Sequence, residues 1–310
     1  CKRGAKVDIA EIDPEWRNYG AGISLGGATL RAFRQLGILD EFLREGSASD
    51  SVKICLPHGP QVAELPTTRI AGPDVPGGGA IMRPVLARIL ADVTRASGAN
   101  VMLDCTFKEM KQDAEGVDVI FTNGMQRRYD LVIGADGLYS KTRKLLFPSA
   151  PLPQYSGQAV WRAVLPRPLE VTTAMMWMGR VKPGVNPVSR SHMYLFVSES
   201  RPINEFVEPT TFVDTLRGLL AEFTAPLLQQ IREQIGPDSQ IVFRPLEGIL
   251  LPRPWHRGRV VLIGDAVHAT TPHLASGACI GIEDALVLAE ELERAADVPA
   301  ALEEFQERRW

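Results

Sequence analysis

Short apolar runs, separated by glycine- and proline-rich breaks, alternate along this chain with stretches of helical spacing. Residues 6–12 (KVDIAEI), bracketed by Gly4 and by Asp13 and Pro14, predict a short buried strand. The loop that follows holds Gly20, Gly22, Gly26 and Gly27. Apolar residues at 30, 33, 36, 39 and 43 then predict helix, split in two at Gly37. Residues 51–65, broken around Pro57 and Pro60, predict an antiparallel hairpin, and 71–79 predict a loop. Pro84 sits in the first turn of a predicted helix that Ser97 and Gly98 stop. Residues 101–107, 117–122 and 129–135 predict three strands. The last is apolar on both faces and is expected inside a sheet covered on both sides.

From about 153 to 247 the texture changes to strand-like pieces carrying Trp161, Met176, Trp177, Met178, Tyr194 and Phe196, with a helical stretch at 212–235. Residues 259–265 (RVVLIGD) return to the buried parallel-strand pattern, and 281–296 carry a helical apolar stripe. This order predicts an α/β fold in which a second lobe interrupts the first. The expected boundaries are 1–48, 82–152 and 248–310 for one lobe, and 49–81 and 153–247 for the other.

The chain's 310 residues, 45% hydrophobic and 23% charged, are enough for two packed lobes. With 34 basic and 37 acidic residues and a net charge of −3, no basic footprint marks a nucleic acid or membrane partner. No apolar run reaches the roughly 18–20 residues of a membrane span. The four cysteines form no C-x-x-C pair and no zinc spacing, which points to a reducing, cytoplasmic setting without structural metal. The start, CKRG, lacks the order of a signal peptide, and a segment upstream is expected.

Three segments carry chemistry. Glu11 ends the first predicted strand, where an acceptor-only carboxylate can take two vicinal ribose hydroxyls, or can simply be solvated. Residues 130–137 (DLVIGADG), with Ser140 as a candidate N-cap and Arg143 beyond, form a strand running into a glycine turn and a helix start. In 259–285 a strand delivers Asp265 to its end, Pro272 turns the chain, and Gly277 opens a helix whose N-terminus favours negative charge. The plainer roles are an N-cap for Asp265 and a satisfied core histidine for His268.

In this order and spacing the segments resemble the single-component, class A FAD-dependent aromatic hydroxylases, the family of para-hydroxybenzoate and salicylate hydroxylases. Asp136 and Gly137, with Ser140 and Arg143, resemble its DG motif. Gly264 and Asp265 through Pro272 and Gly277 resemble its GD motif. Arg83, Leu86 and Leu90 resemble its R-x-x-L-x-x-x-L helix. The resemblance implies a Rossmann-like FAD-binding domain with an inserted mixed-sheet substrate domain. It implies that Glu11 holds the adenosine ribose, Arg83 sits by the ribose and pyrophosphate, and Asp136 and Gly137 lie beside the pyrophosphate. Asp265 would bond the ribityl chain, and Gly22 and Ile23 would offer backbone groups to the flavin ring edge. Pro272 would lie at the reactive side, with the N–H groups of Ala278 and Cys279 facing flavin N1 and C2. Cys279 stands where several members have Asn or Gly.

The implied reaction is NAD(P)H reduction of FAD, O2 addition as a flavin C4a-hydroperoxide, and hydroxyl transfer to a small aromatic, phenolic substrate. His273 is the candidate general base, ahead of His192 and Tyr194, and Arg162 is a candidate partner for a substrate carboxylate. A homodimer stays open as an assembly. The family's first strand and G-x-G-x-x-G turn are not found, CKRG resembling the tail of the helix after that turn, so the chain is expected to be incomplete at its N-terminus. The alternatives are a same-fold flavoprotein oxidoreductase without hydroxylation and a non-catalytic fragment unable to hold FAD.

Overall fold

The computed structural model describes residues 4–18 and 20–310; the reading of Cys1, Lys2 and Arg3 as a helix tail lies outside them. In chain order the first elements are β1 (Asp8–Ala10), β2 (Gly22–Gly26), α1 (Gly27–Leu36), α2 (Leu39–Glu45), β3 (Ser47–Ser49), β4 (Ser51–Cys55), β5 (Gln61–Pro66) and β6 (Gly78–Met82). Next come α3 (Arg83–Ala96), β7 (Asn100–Met102), β8 (Phe107–Gln112), β9 (Val117–Phe121), β10 (Gln126–Tyr129), β11 (Val132–Gly134) and α4 (Lys141–Leu146). These are followed by β12 (Gln154–Pro166), β13 (Ala174–Trp177), β14 (Lys182–Pro187), β15 (His192–Ser200), α5 (Phe212–Leu220), α6 (Pro226–Gln234) and β16 (Ile241–Gly248). The last are β17 (His256–Arg257), β18 (Val260–Leu262), α7 (Asp265–His268), α8 (Gly277–Arg294) and α9 (Val298–Arg309).

The chain divides into two compact units. Unit 1 takes the chain up to Arg17, Leu90–Gln154 and Glu247–Trp310, and unit 2 takes Asn18–Ile89 and Tyr155–Leu246. Residues 18–48 and 82–89, expected in the first lobe, pack in unit 2, because β2, β6 and β3 pair with one another there.

In unit 1, β1 pairs in parallel with β7, β8 to β10 form an antiparallel meander, and β11 pairs in parallel with β18, which β17 flanks. Val260, Val261 and Leu262 are all buried, as a β-branched run covered on both faces should be. They pack with Leu288 of α8, Leu302 and Phe305 of α9, and Trp255. The predicted strand at 129–135 is two strands, because the chain leaves β9 after Tyr129 and joins β18 from Val132. Its expected full coverage is not found either, since Ile133 is 46% exposed. The strand expected at 101–107 is likewise β7 and the start of β8, whose sequence alternates too poorly to show a strand.

Unit 2 holds a seven-stranded mixed sheet in the order β16-β12-β15-β14-β13-β4-β5, and a three-stranded sheet β2-β6-β3. Side chains on a strand alternate between faces. Trp161, Ala163 and Leu165 of β12 and Met193, Leu195 and Val197 of β15 accordingly share one face, buried beneath Leu216 and Leu220 of α5 and Leu228 and Ile231 of α6. Tyr194 lies on the other face with Val188, Ala21 and Ala80, and with Val164 and Phe196 packed against them. Trp161 and Trp177 are thus core packing, while Tyr194 and Phe196 lie in the cluster on the other face. The predicted helix at 212–235 is broken into α5 and α6, the second opening on Pro226.

Candidate active site

Unit 1 carries the Gly264 turn. Gly264, after β18, has φ +61° and ψ −141°, a region that side chains with a Cβ avoid. A Cβ there would also sit 3.7 Å from Gly281 Cα, so α8 lies directly against the turn. Asp265 opens α7 with an exposed carboxylate that makes no capping bond and has no partner among the described residues. The N-cap role is therefore not taken.

The turn is held from below by Asp284, fully buried on α8. Its Oδ2 accepts the Gly264 N–H at 2.7 Å and lies 2.7 Å from His268 Nε2, while its Oδ1 accepts from Arg309 Nε at 2.8 Å. Burial pushes this carboxyl's pKa up, but the bonds from His268, Gly264 and Arg309 outweigh it and hold the carboxyl below its ordinary value. His268 is the satisfied core histidine expected. Asp284 and Arg309 were not singled out from the sequence, although a charge spaced four residues from both Ile280 and Leu288 in an apolar helix stripe was a usable signal.

The DG turn is similarly self-contained. Asp136 accepts from Ser140 Oγ, from the Thr142 N–H at 2.8 Å and from Thr142 Oγ1 at 3.0 Å. Ser140 caps α4 as expected, accepting the Arg143 N–H at 2.8 Å. Arg143 is buried and donates to the Leu138 carbonyl at 2.6 Å and the Ala266 carbonyl at 2.7 Å, joining the DG turn to α7. Both Asp136 oxygens are thus engaged in shaping the turn. Gly137, at φ +77° with nothing within 4 Å of a built Cβ, leaves open space beside it.

Pro272 and His273 lie exposed in a short 3-10 turn, with His273 Nδ1 3.0 Å from Thr271 Oγ1. Ser276 then leads into α8 without a side-chain cap on the first turn, which holds Gly277, Ala278 and the buried Cys279. An uncapped start on an 18-residue helix offers N–H groups and the positive dipole end to an anion or a ring carbonyl. Glu11 follows β1; its Oε1 accepts the Asp13 N–H at 2.8 Å, and its Oε2 accepts from none of the described residues.

In unit 2, Gly22 and Ile23 lie on β2, paired with Met82 and Ile81 of β6. Arg83 starts α3, its N–H donating to Ala21 and its side chain against Gly20. Arg162 donates through Nε to the Tyr194 hydroxyl at 3.1 Å and has no carboxylate partner among the described residues. His192 is exposed and bonds Ser191.

These groups suit a flavin dinucleotide. Asp265 and Glu11 Oε2 are acceptors that no described residue engages, the start of α8 supplies donors, and Gly137 leaves room for a close backbone approach.

The family described as FAD binding domain matches residues 2–309. The chain is 30% identical to the aurachin C monooxygenase/isomerase of Stigmatella aurantiaca, over 98% of this chain and 79% of that protein. It is 31% identical to the 2-heptyl-3-hydroxy-4(1H)-quinolone synthase of Pseudomonas aeruginosa, over 93% and 75%. Its fold is that of Klebsiella pneumoniae HpxO, solved in complex with FAD and uric acid, at TM-score 0.84 and 23% identity over 99% of this chain and 85% of that one. The protein belongs to the FAD binding domain family and is a flavin-dependent monooxygenase of the class A, aromatic-hydroxylase kind.

Proposed function

We propose that the protein uses NAD(P)H and O2 to hydroxylate a small aromatic or N-heteroaromatic compound bearing an oxygen substituent. The observation carrying this reading is the pairing, in unit 1, of an Asp265 without a partner among the described residues with a start of α8 that Ser276 does not cap, held together by the Gly264 and Gly281 contact. FAD held here would supply the redox chemistry that draws an electrophilic oxygen from O2 at the expense of NAD(P)H. Asp265 would hold the ribityl chain, Glu11 the adenosine ribose, and the first N–H groups of α8 would stabilise negative charge on the ring edge.

His273 is proposed to take the proton from the substrate's ring hydroxyl, which raises electron density on the carbon to be attacked. When Nδ1–H donates to Thr271 Oγ1, Nε2 keeps its lone pair and is the accepting atom. Arg162 and the hydroxyl of Tyr194 form a donor pair for a substrate oxygen. The quinolone of the Pseudomonas aeruginosa relative and the uric acid bound to HpxO are both nitrogen heterocycles bearing exocyclic oxygens, and they support that class.

The test is NAD(P)H oxidation by the FAD-loaded protein with and without hydroxylated quinolines, pyridines and phenols, with the product's mass read for one added oxygen. His273→Ala should slow hydroxylation about 100-fold or more while changing flavin reduction less than about threefold. Equal loss in both steps, or in neither, removes His273 as the base. NAD(P)H oxidation that no aromatic compound stimulates overturns the function.

A further inference from the structure

We propose that Asp284 is a positioning residue for flavin binding, its buried carboxylate setting the Gly264 turn that presents Asp265. The inference rests on the reading of Asp265 as the ribityl acceptor. Three elements converge on this one side chain: the Gly264 N–H before α7, His268 Nε2 at the end of α7, and Arg309 Nε on α9. Both ends of the four-residue α7 are therefore fixed by a single carboxylate, and Asp265 lies between them.

Gly264's backbone is in a region without a helical or sheet partner for its N–H, so the turn needs an acceptor from elsewhere, and Asp284 supplies it. Asp284 lies on the same helix as Gly277 and Ala278. One rigid element thus sets the start of α8 and, through its side chain, the Asp265 turn. Arg309 completes the arrangement from α9, donating through Nη2 to the Ile280 carbonyl at 3.2 Å and so holding the carboxylate against its own helix.

A wholly buried carboxylate is a poor device for stability alone, since apolar replacements of buried ion clusters often leave stability unchanged or raised. Its geometry is what an apolar side chain cannot copy: one acceptor group with two oxygens bridging a backbone N–H, an imidazole and a guanidinium. Asp284→Asn keeps the shape, but one of its two polar atoms becomes a donor, so either the turn and His268 or Arg309 faces a donor instead of an acceptor.

The experiment measures FAD dissociation constants by flavin fluorescence for the wild type, Asp265→Ala, Asp284→Asn and the double variant, each stripped of flavin and titrated. Asp284→Asn should weaken FAD about tenfold to a hundredfold. In the Asp265→Ala background the same change should add less than about threefold, because the turn then has no carboxylate to present. A general packing role gives losses that multiply, and that result overturns the proposal. Wild-type affinity in Asp284→Asn, with Asp265→Ala weakened, overturns it alone. Wild-type affinity in Asp265→Ala overturns both it and the reading beneath it. Should Asp284→Asn fail to fold, Arg309→Gln removes one donor and leaves the carboxylate; it should weaken FAD by about three- to tenfold with the same non-multiplying pattern, and multiplying losses there overturn the proposal too.

Discussion

Arg143→Met is expected to cost about 3–5 kcal/mol of folding stability, a large part of the roughly 5–15 kcal/mol that holds a domain together. Arg143 is 2% exposed, and its guanidinium donates to the carbonyls of Leu138 and Ala266. Burial lowers its pKa and the charge of Asp136 raises it again, the net direction being down. Methionine fills most of the volume and donates nothing. The buried Ala266 carbonyl then loses its partner, at about 1–3 kcal/mol, and the half-buried Leu138 carbonyl loses its own at the lower end of that range. Arg143→Lys keeps the charge but not the planar fork that reaches two carbonyls at once, so it should recover less than about half of the loss. Urea unfolding of the flavin-free protein reads both values; a loss below about 1 kcal/mol for methionine would mean that the DG turn does not depend on this side chain.

The second large effect is expected at Gly22. A Cβ there would lie 2.6 Å from Tyr194 Cβ and 2.7 Å from Val188 Cγ1, and neither of these atoms is the free end of a flexible chain. Gly22→Val should therefore push β2 off the sheet face, costing about 1–3 kcal/mol or somewhat more. Tyr194 would move with it, and so would the hydroxyl that Arg162 holds. The glycine is thus required for packing, whatever its backbone does for a flavin. Urea unfolding again measures it, and wild-type stability in Gly22→Val would show that β2 can shift without strain.

Local signals carried most of the fold. Gly37, at φ +78°, divides α1 from α2 where the helical spacing is interrupted, and Gly98, at φ +84°, follows α3. The hairpin of β4 and β5, the apolar strand β18 and the Ser140 cap were all legible for the same reason: each is decided within a few residues. What the pattern could not show is which strand pairs with which. The run 129–135 looks continuous, yet it changes partner near Asp130. The α9 helix was also unread, although Asp297 caps it through the Ala300 N–H and Pro299 lies in its first turn.

The candidate site divides along the same line. Asp265, Gly137 and Pro272 stand in turns that short motifs specify, and the structure exposes the Asp265 carboxylate and leaves space by Gly137. The Asp284 cluster joins residues 264, 268, 284 and 309, separations of 16 to 25 residues from the carboxylate, and no local period encodes that. Trp161 and Trp177 depend on strand parity instead, which puts them in the core beneath α5 and α6.

The most direct measurement is a titration of the purified, flavin-free protein with FAD, following the visible absorption band that stays with the protein after unbound flavin is removed. The structure predicts one FAD retained per chain, with retention falling at least about tenfold in Asp265→Ala. A protein that retains no flavin, or an Asp265→Ala variant that retains it as the wild type does, would contradict the assignment of the Gly264 turn and the start of α8 as the flavin site.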